Sequence, residues 1–545
     1  MKRVYVNEQW CLGCHLCEYY CAFANSGKSD MVKALKGAAV HPNIRIEEGP
    51  GGISFAVACR HCSEPLCVRG CISGALQVRD GVVTIDESKC VGCYTCVASC
   101  PYGAVLPGAH GAVQKCELCT QSGGVPACVE HCPNRGMRYV IIGGSAAAIG
   151  CIEGVRSVDK TGEIILITGE TEWNYSRPLI SYLLEGKTTR DKMWCRPDSF
   201  FTRNGVTVKA GVLATALDAG DRTVRLSTGE RLAYDRLLAA TGSRPFVPPI
   251  PGLETVERTF CFQTLSDASA LAEALRPESR VLILGAGLTG VKCAEGIRGL
   301  CAQIAIADLA PRVLPAVLDD TAAAMVQARM EEKGVRFYLN DSAAAFRGNT
   351  ARLQSGTELE FDVLVTAVGV RPNTQLVADA GGAVDRGILV DGRCATTLPD
   401  VYAAGDCAQG YDAVSGEKRM LPLWPNAVLQ GETAGINMAG GRADYTQGIA
   451  LNASGVFGLH MVTAGSYEGE SFTVQRDGSY KRLVTADGVL KGVIMVGDVS
   501  RAGIYTDLIR KKKPLSEIDF DLIRESPQLM AFSQKDRRVQ LGGEV

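Results

Sequence analysis

From Arg138 onward, short apolar runs alternate with turns of small residues and helical stretches, and the alternation predicts strand and helix in turn. RYVIIGGSAAAIGCIEGVR and VLILGAGLTGVKCAEGIR each open on a buried strand that runs through a small-residue turn into a helix. EIILITGE and AQIAIAD supply a second apolar strand to each unit, and beyond residue 446 come alternating strands such as SFTVQRD and KGVIMVGD. The longest apolar runs, such as 139–142 and 281–284, are far too short to cross a bilayer, so no membrane segment is expected.

Before Arg138 cysteine dominates, with 16 of the 23 cysteines lying between Cys11 and Cys132. They form four groups: Cys11, Cys14, Cys17 and Cys21; Cys59, Cys62, Cys67 and Cys71; Cys90, Cys93, Cys96 and Cys100; Cys116, Cys119, Cys128 and Cys132. Each group has three cysteines and then, after three residues, a fourth. Closely spaced thiolates on a tight loop can wrap three corners of a cubane, while the fourth, displaced along a helical turn, points toward a neighbouring cluster. Zinc is the competing reading, because paired C-x-x-C motifs also make four-cysteine zinc sites. The first and third groups have the C-x2-C-x2-C-x3-C spacing of ferredoxins, and the three-plus-one pattern recurs in all four, which favours [4Fe-4S] clusters. A disulfide framework suits small secreted domains, not a chain in which nucleotide-binding motifs follow.

A chain of 545 residues has room for several cores. Its 57 basic and 59 acidic side chains nearly cancel, so nothing in the charge argues for nucleic acid or an anionic membrane. The opening MKRVYVNEQWCLGC has neither an uninterrupted apolar stretch nor a twin-arginine pair, and a cytoplasmic location is expected.

The two strand-turn-helix units carry the nucleotide chemistry. In the first, Gly143, Ser145 and Ala148 stand at the three glycine positions of a G-x-G-x-x-G turn, whose helix N-terminus can meet a pyrophosphate. Glu170 follows the next strand, placed to accept hydrogen bonds from an adenosine ribose. The second fingerprint is complete, with Gly285, Gly287 and Gly290, and its second strand ends at Asp308. A carboxylate there favours a free 2'-hydroxyl and hence NAD, while Arg312, four residues on, keeps NADP open.

With these motifs in hand, residues 138 to about 445 resemble the two-dinucleotide flavoprotein reductases of the pyridine nucleotide-disulfide oxidoreductase superfamily, most of all the NADH oxidase, rubredoxin reductase and nitrite reductase branches. The resemblance rests on YDRLLAATGSRP, FDVLVTAVGVRPN and TTLPDVYAAGDCA. It implies an FAD site in which Arg177, the Thr241–Gly242 turn and Asp406, preceded by Gly405, touch the flavin nucleotide, with a related turn at Gly369. Residues 1 to about 137 resemble the four-cluster electron-transfer subunits found beside molybdenum and tungsten enzymes, and the related ferredoxins of carbon monoxide dehydrogenase and hydrogenase systems. That second resemblance implies that outer groups serve each other and inner groups serve each other. The ligand sets would be Cys11, Cys14, Cys17 and Cys132; Cys116, Cys119, Cys128 and Cys21; Cys59, Cys62, Cys67 and Cys100; and Cys90, Cys93, Cys96 and Cys71.

Together these readings imply an α/β chain. A ferredoxin-like four-cluster domain (1–137) precedes tandem Rossmann-like domains for FAD (138–256 and 380–445) and NAD (257–379), with a small α+β interface domain (446–545) at the end. Two departures from the flavoprotein pattern bear on chemistry. The redox cysteine of disulfide reductases is missing from YSRPLISYLLEGK, and Lys292 stands where many relatives have a glutamate near the nicotinamide. No side-chain catalyst is expected; the flavin mediates.

A [4Fe-4S] cluster takes one electron and nicotinamide two, so the fusion reads as a converter between clusters, FAD and NAD(H), in either direction. The short joint at NRG is expected to hold the two parts together. No motif oxidises a substrate, so a hetero-oligomer is expected, the partner being a tungsten or molybdenum aldehyde oxidoreductase or a carbon monoxide dehydrogenase. The alternatives are a stand-alone NADH oxidase or peroxide reductase, and a non-catalytic electron wire.

Overall fold

Each cysteine group folds as a curled loop running into a short helix. The residue directly before the second cysteine is left-handed in all four: Gly13 (φ 61°), His61 (φ 44°), Gly92 (φ 66°) and Leu118 (φ 57°). Such a residue reverses the local hand of the chain and closes the loop tightly. The third cysteine then sits on a helix: Cys17 on Leu16–Ala24, Cys67 on Leu66–Arg69, Cys96 on Thr95–Ser99 and Cys128 on Ala127–Glu130. The fourth follows about one helical turn later. The first of these helices packs on the fourth, and the second on the third. Two small cores result, one around Cys21, Ile44, Cys59 and Cys116, the other around Cys67, Leu76, Val83 and Cys96.

The computed structural model describes residues 3–6, 8, 11–36, 41–50, 52–108, 111–120, 126–133 and 136–541. The Asn134 and Arg135 positions of the NRG joint lie outside them. Two compact units divide the chain, Met1–Gly136 and Met137–Val545.

The second unit is built on a repeated plan. Its first sheet has five parallel strands in the order Val401–Ala403, Arg236–Ala239, Arg138–Ile142, Glu163–Thr168 and Val206–Ala210. Its second repeats the pattern with Thr259–Phe260, Val363–Thr366, Arg280–Leu284, Gln303–Asp308 and Val335–Leu339. Each is accompanied by a three-stranded antiparallel sheet. Equivalent aspartates lock equivalent strands: Asp235 accepts from the Arg138 N–H at 2.8 Å and Asp362 from the Arg280 N–H at 2.7 Å.

The helix Ala146–Val158 lies against Trp424–Met438 through glycines of both. A Cβ on Gly150 would meet the Val428 carbonyl at 2.2 Å, and one on Gly431 the Ala147 carbonyl at 2.0 Å, so only hydrogen lets the two backbones approach this closely. A five-stranded antiparallel sheet, Leu451–Val456 to Val489–Val496, closes the unit, with the helix Ala502–Lys511 burying Tyr505, Leu508 and Ile509 on it. Among the described residues no helix is long and apolar enough to cross a membrane.

Candidate redox site

The thiols of the first unit are close enough to act on one another. Cys132 and Cys14 bear on Cys17, Cys116 and Cys119 on Cys21, Cys100 and Cys62 on Cys59, and Cys71 and Cys90 on Cys96. The first group therefore neighbours the fourth, and the second the third. Burial pushes the Cys17 and Cys21 thiols up to about 11. Backbone N–H groups already point at sulfur, Asn43 to Cys21 at 3.2 Å and Leu118 to Cys116 at 3.5 Å. Among the described residues no three His, Cys, Asp or Glu side chains gather as they would around a single metal ion.

The three histidines beside these cysteines have other partners. His15 pairs with Glu18, and His131 stacks on Tyr20 at 3.7 Å. His61, fully buried, accepts from the Val83 N–H at 3.0 Å, and burial pushes its imidazole down to about 4.

In the second unit both fingerprint helices start without a side-chain cap, at Ser145 and at Gly287. Other helices are capped by their own side chains, as at Thr264 and Asp319. The first N–H groups of the fingerprint helices are thus left for an anion. Gly143 (φ 123°) and Gly285 (φ 107°) face the carbonyls of Ala240 and Ala367, which a Cβ would meet at 2.0 and 2.4 Å. Gly290 lies equally close to the Gly285 carbonyl, and Ala148 is fully buried.

Around the first sheet's strand ends, residues from separate segments join in one network. Glu170 accepts from Tyr175 at 2.7 Å and pairs with Arg177, which donates to the Gln263 carbonyl at 3.2 Å. The Gln263 amide donates to the Ser243 hydroxyl at 3.0 Å, and that hydroxyl donates to Asp406 at 3.0 Å. Burial raises the Asp406 carboxyl, opposed by Ser243 and by the Arg177 charge. The Gln263 Oε1 is buried without a partner, so this corner has acceptors in want of donors. Thr241 and Gly242 are clipped to Asn373, by the Thr241 hydroxyl at 2.6 Å and the Asn373 amide at 2.9 Å. Gly405 (φ 83°) and Gly369 (φ 116°) hold turns that need positive φ, and the Gly405 N–H is fixed by Gln430 at 2.8 Å. Tyr175, Ser243, Gln263 and Asn373 escaped the motif reading, although Ser243 stands directly after the Thr241–Gly242 turn.

At the second fingerprint, Asp308 accepts from the Ala286 N–H at 2.6 Å and the Ala310 N–H at 2.7 Å. Arg312 is turned to other work, donating to the Leu318 carbonyl and to Asp320, both at 3.1 Å. Lys292 pairs with buried Glu295, donates to the Gly455 carbonyl at 3.0 Å and lies 4.2 Å from the Tyr182 ring.

A family model for pyridine nucleotide-disulphide oxidoreductases matches residues 137–431. The chain belongs to that family. A model for a 4Fe-4S dicluster domain matches residues 52–141, which takes in the second, third and fourth cysteine groups. The epsilon subunit of NADH-dependent phenylglyoxylate dehydrogenase from Aromatoleum evansii is 33% identical, over 70% of this chain and 93% of that one. The electron transfer subunit of assimilatory nitrate reductase from Bacillus subtilis is 30% identical over 70% of this chain; the match spans about half of that relative, 50%. Among solved structures, an NAD-dependent persulfide reductase from A. fulgidus superposes with a TM-score of 0.65 at 26% identity, covering 70% of this chain and 78% of that one. This family member is therefore an FAD- and NAD(H)-dependent oxidoreductase that also carries [4Fe-4S] chemistry and transfers electrons. The described cysteines are free, and Cys151, Cys293, Cys301, Cys394 and Cys407 are buried as small apolar side chains.

Proposed function

We propose that the chain is the electron-transfer subunit of a larger cytoplasmic redox enzyme, holding four [4Fe-4S] clusters, one FAD and NAD(H). The carrying observation is the recurrence, four times, of one loop-and-helix cysteine unit whose thiols neighbour a second unit in pairs. It supports the ligand sets Cys11, Cys14, Cys17 and Cys132; Cys116, Cys119, Cys128 and Cys21; Cys59, Cys62, Cys67 and Cys100; Cys90, Cys93, Cys96 and Cys71. Residues 1–137 carry the clusters, 138–256 and 380–445 the FAD, 257–379 the NAD(H), and 446–545 an interface.

Gly143, Ser145 and Ala148 open the first helix to the FAD pyrophosphate; Glu170 and Arg177 face its adenosine end. Asp406 and Gln263 offer buried acceptors to its hydroxyls, beside the Thr241–Gly242 turn. Bound FAD supplies the exchange between hydride and single electrons. Gly285, Gly287 and Gly290 receive the second pyrophosphate, and Asp308 the ribose. Arg312 donates to the Leu318 carbonyl and to Asp320, an arrangement that favours the repulsion of a 2'-phosphate by Asp308. NADH should reduce the flavin at least about tenfold better than NADPH, a difference of about 1.4 kcal/mol. Anaerobic stopped-flow with each nucleotide measures it, and equal rates would overturn the assignment of Asp308.

The partner is a catalytic subunit that oxidises a carbonyl compound: a tungsten or molybdenum aldehyde oxidoreductase, or, following the name of the Aromatoleum relative, a 2-oxo acid dehydrogenase. Carbon monoxide dehydrogenase is the next candidate. Anaerobic affinity capture of the full chain should bring down a larger subunit, and an aldehyde, a 2-oxo acid or carbon monoxide should then drive NAD+ reduction. A chain that stays alone and consumes oxygen with NADH would instead be a stand-alone oxidase.

A further inference from the structure

Lys115 ends the strand Val113–Lys115 and is only 2% exposed. Its ammonium donates to the Val83 carbonyl and, at 2.5 Å, to the Cys116 carbonyl. Among the described residues no carboxylate pairs with it. A buried ammonium held by carbonyl dipoles alone is costly, and folded proteins place an opposite charge beside it. The groups that become anionic here are cysteines. Val83 ties the ammonium to them, since its N–H is held by His61, whose Nδ1 lies 3.9 Å from the Cys59 sulfur.

Cys59, reached from the ammonium through Val83 and His61, belongs to one proposed ligand set, and Cys116, whose carbonyl the ammonium meets, belongs to another, so the cation stands where two sets adjoin. We propose that Lys115 is the buried counter-ion of the cluster held by Cys59, Cys62, Cys67 and Cys100, and that its fixed charge raises that cluster's reduction potential. Reduction adds one electron to an already anionic centre, and net charge around a cluster is one of the terms that set its potential. The cluster beside Lys115 becomes a resting place for a single electron, and Lys115 is a positioning residue for charge and takes no part in bond making. The inference rests on the four-cluster reading given above.

Full-length protein, purified anaerobically, would be compared as native, Lys115→Met, Lys115→Gln and Lys115→Arg chains. Iron and acid-labile sulfide counts on the native chain test the cluster reading by itself. Potentiometric titration followed by electron paramagnetic resonance tests the role of Lys115. In the Met and Gln chains one cluster's midpoint should fall so that its reduced-to-oxidised ratio at fixed potential changes at least tenfold, which is 59 mV for one electron. Lys115→Arg should restore the native value. An unchanged midpoint in either neutral chain with its full iron overturns the proposal. So does loss of that cluster's iron from both neutral chains with FAD retained, because the side chain would then be a structural part only.

Discussion

Replacing Gly143 by valine should give a chain that folds but purifies without FAD and no longer reduces dyes with NADH. At φ 123° the residue sits where L side chains are strained, and a Cβ would lie 2.0 Å from the Ala240 carbonyl oxygen. The strain alone is worth about 1–3 kcal/mol. The overlap is the larger effect, because the opposing atom is backbone: Ala240 continues the strand Arg236–Ala239 and leads into the Thr241–Gly242 turn. Relief must push that turn or the fingerprint turn out of place, and both are proposed to hold FAD. A loss of about 3 kcal/mol already lowers affinity more than a hundredfold. Gly299, with nothing within 4 Å and no positive φ, is the control, and Gly299→Ala should leave flavin content unchanged. A Gly143→Val chain with a full complement of FAD would show that the first fingerprint does not hold the nucleotide.

The two fingerprints were legible because they are local. A strand, a small-residue turn and a helix declare themselves within about twenty positions, and the second copy repeats the plan of the first, in which Ser145 and Ala148 replace glycine. The four cysteine groups were legible for the same reason. The network behind the Thr241–Gly242 turn was not, because Gln263 reaches Ser243 across 20 residues and Ser243 reaches Asp406 across 163. Arg312 could be read from sequence as a donor to a 2'-phosphate; only the fold shows it donating to Asp320. Lys292 stands out in the sequence as a missing glutamate, and its buried partner Glu295 is within reach of the i, i+3 rule. Lys115 gave no signal at all, since a lysine ending a short strand is ordinarily solvated.

Cysteines of the two units should respond to substitution in opposite ways, which separates ligand from packing. Cys93 is exposed, and the Thr95 hydroxyl 3.5 Å away draws its thiol below the ordinary value. It packs against little, so Cys93→Ala costs almost no stability by itself. As a proposed ligand with Cys90, Cys96 and Cys71, its loss should remove one native cluster signal and about one to four irons per chain. NADH-dependent dye reduction, which needs only the Met137–Val545 unit, should stay within about twofold of native, because that unit has its own cores. Electron delivery to the catalytic partner should fall by more than about tenfold if that cluster lies on the route. Cys293 is the converse: fully buried in the core beside Val291 and Ala294, on the helix that follows the second fingerprint. Cys293→Ala should leave iron and cluster signals untouched and cost about 1 kcal/mol of stability through the small cavity it opens. Iron analysis and thermal unfolding of the two chains side by side decide the matter. Full iron in Cys93→Ala would remove Cys93 from the ligand set, and loss of FAD with the cluster would mean that the two units do not fold independently.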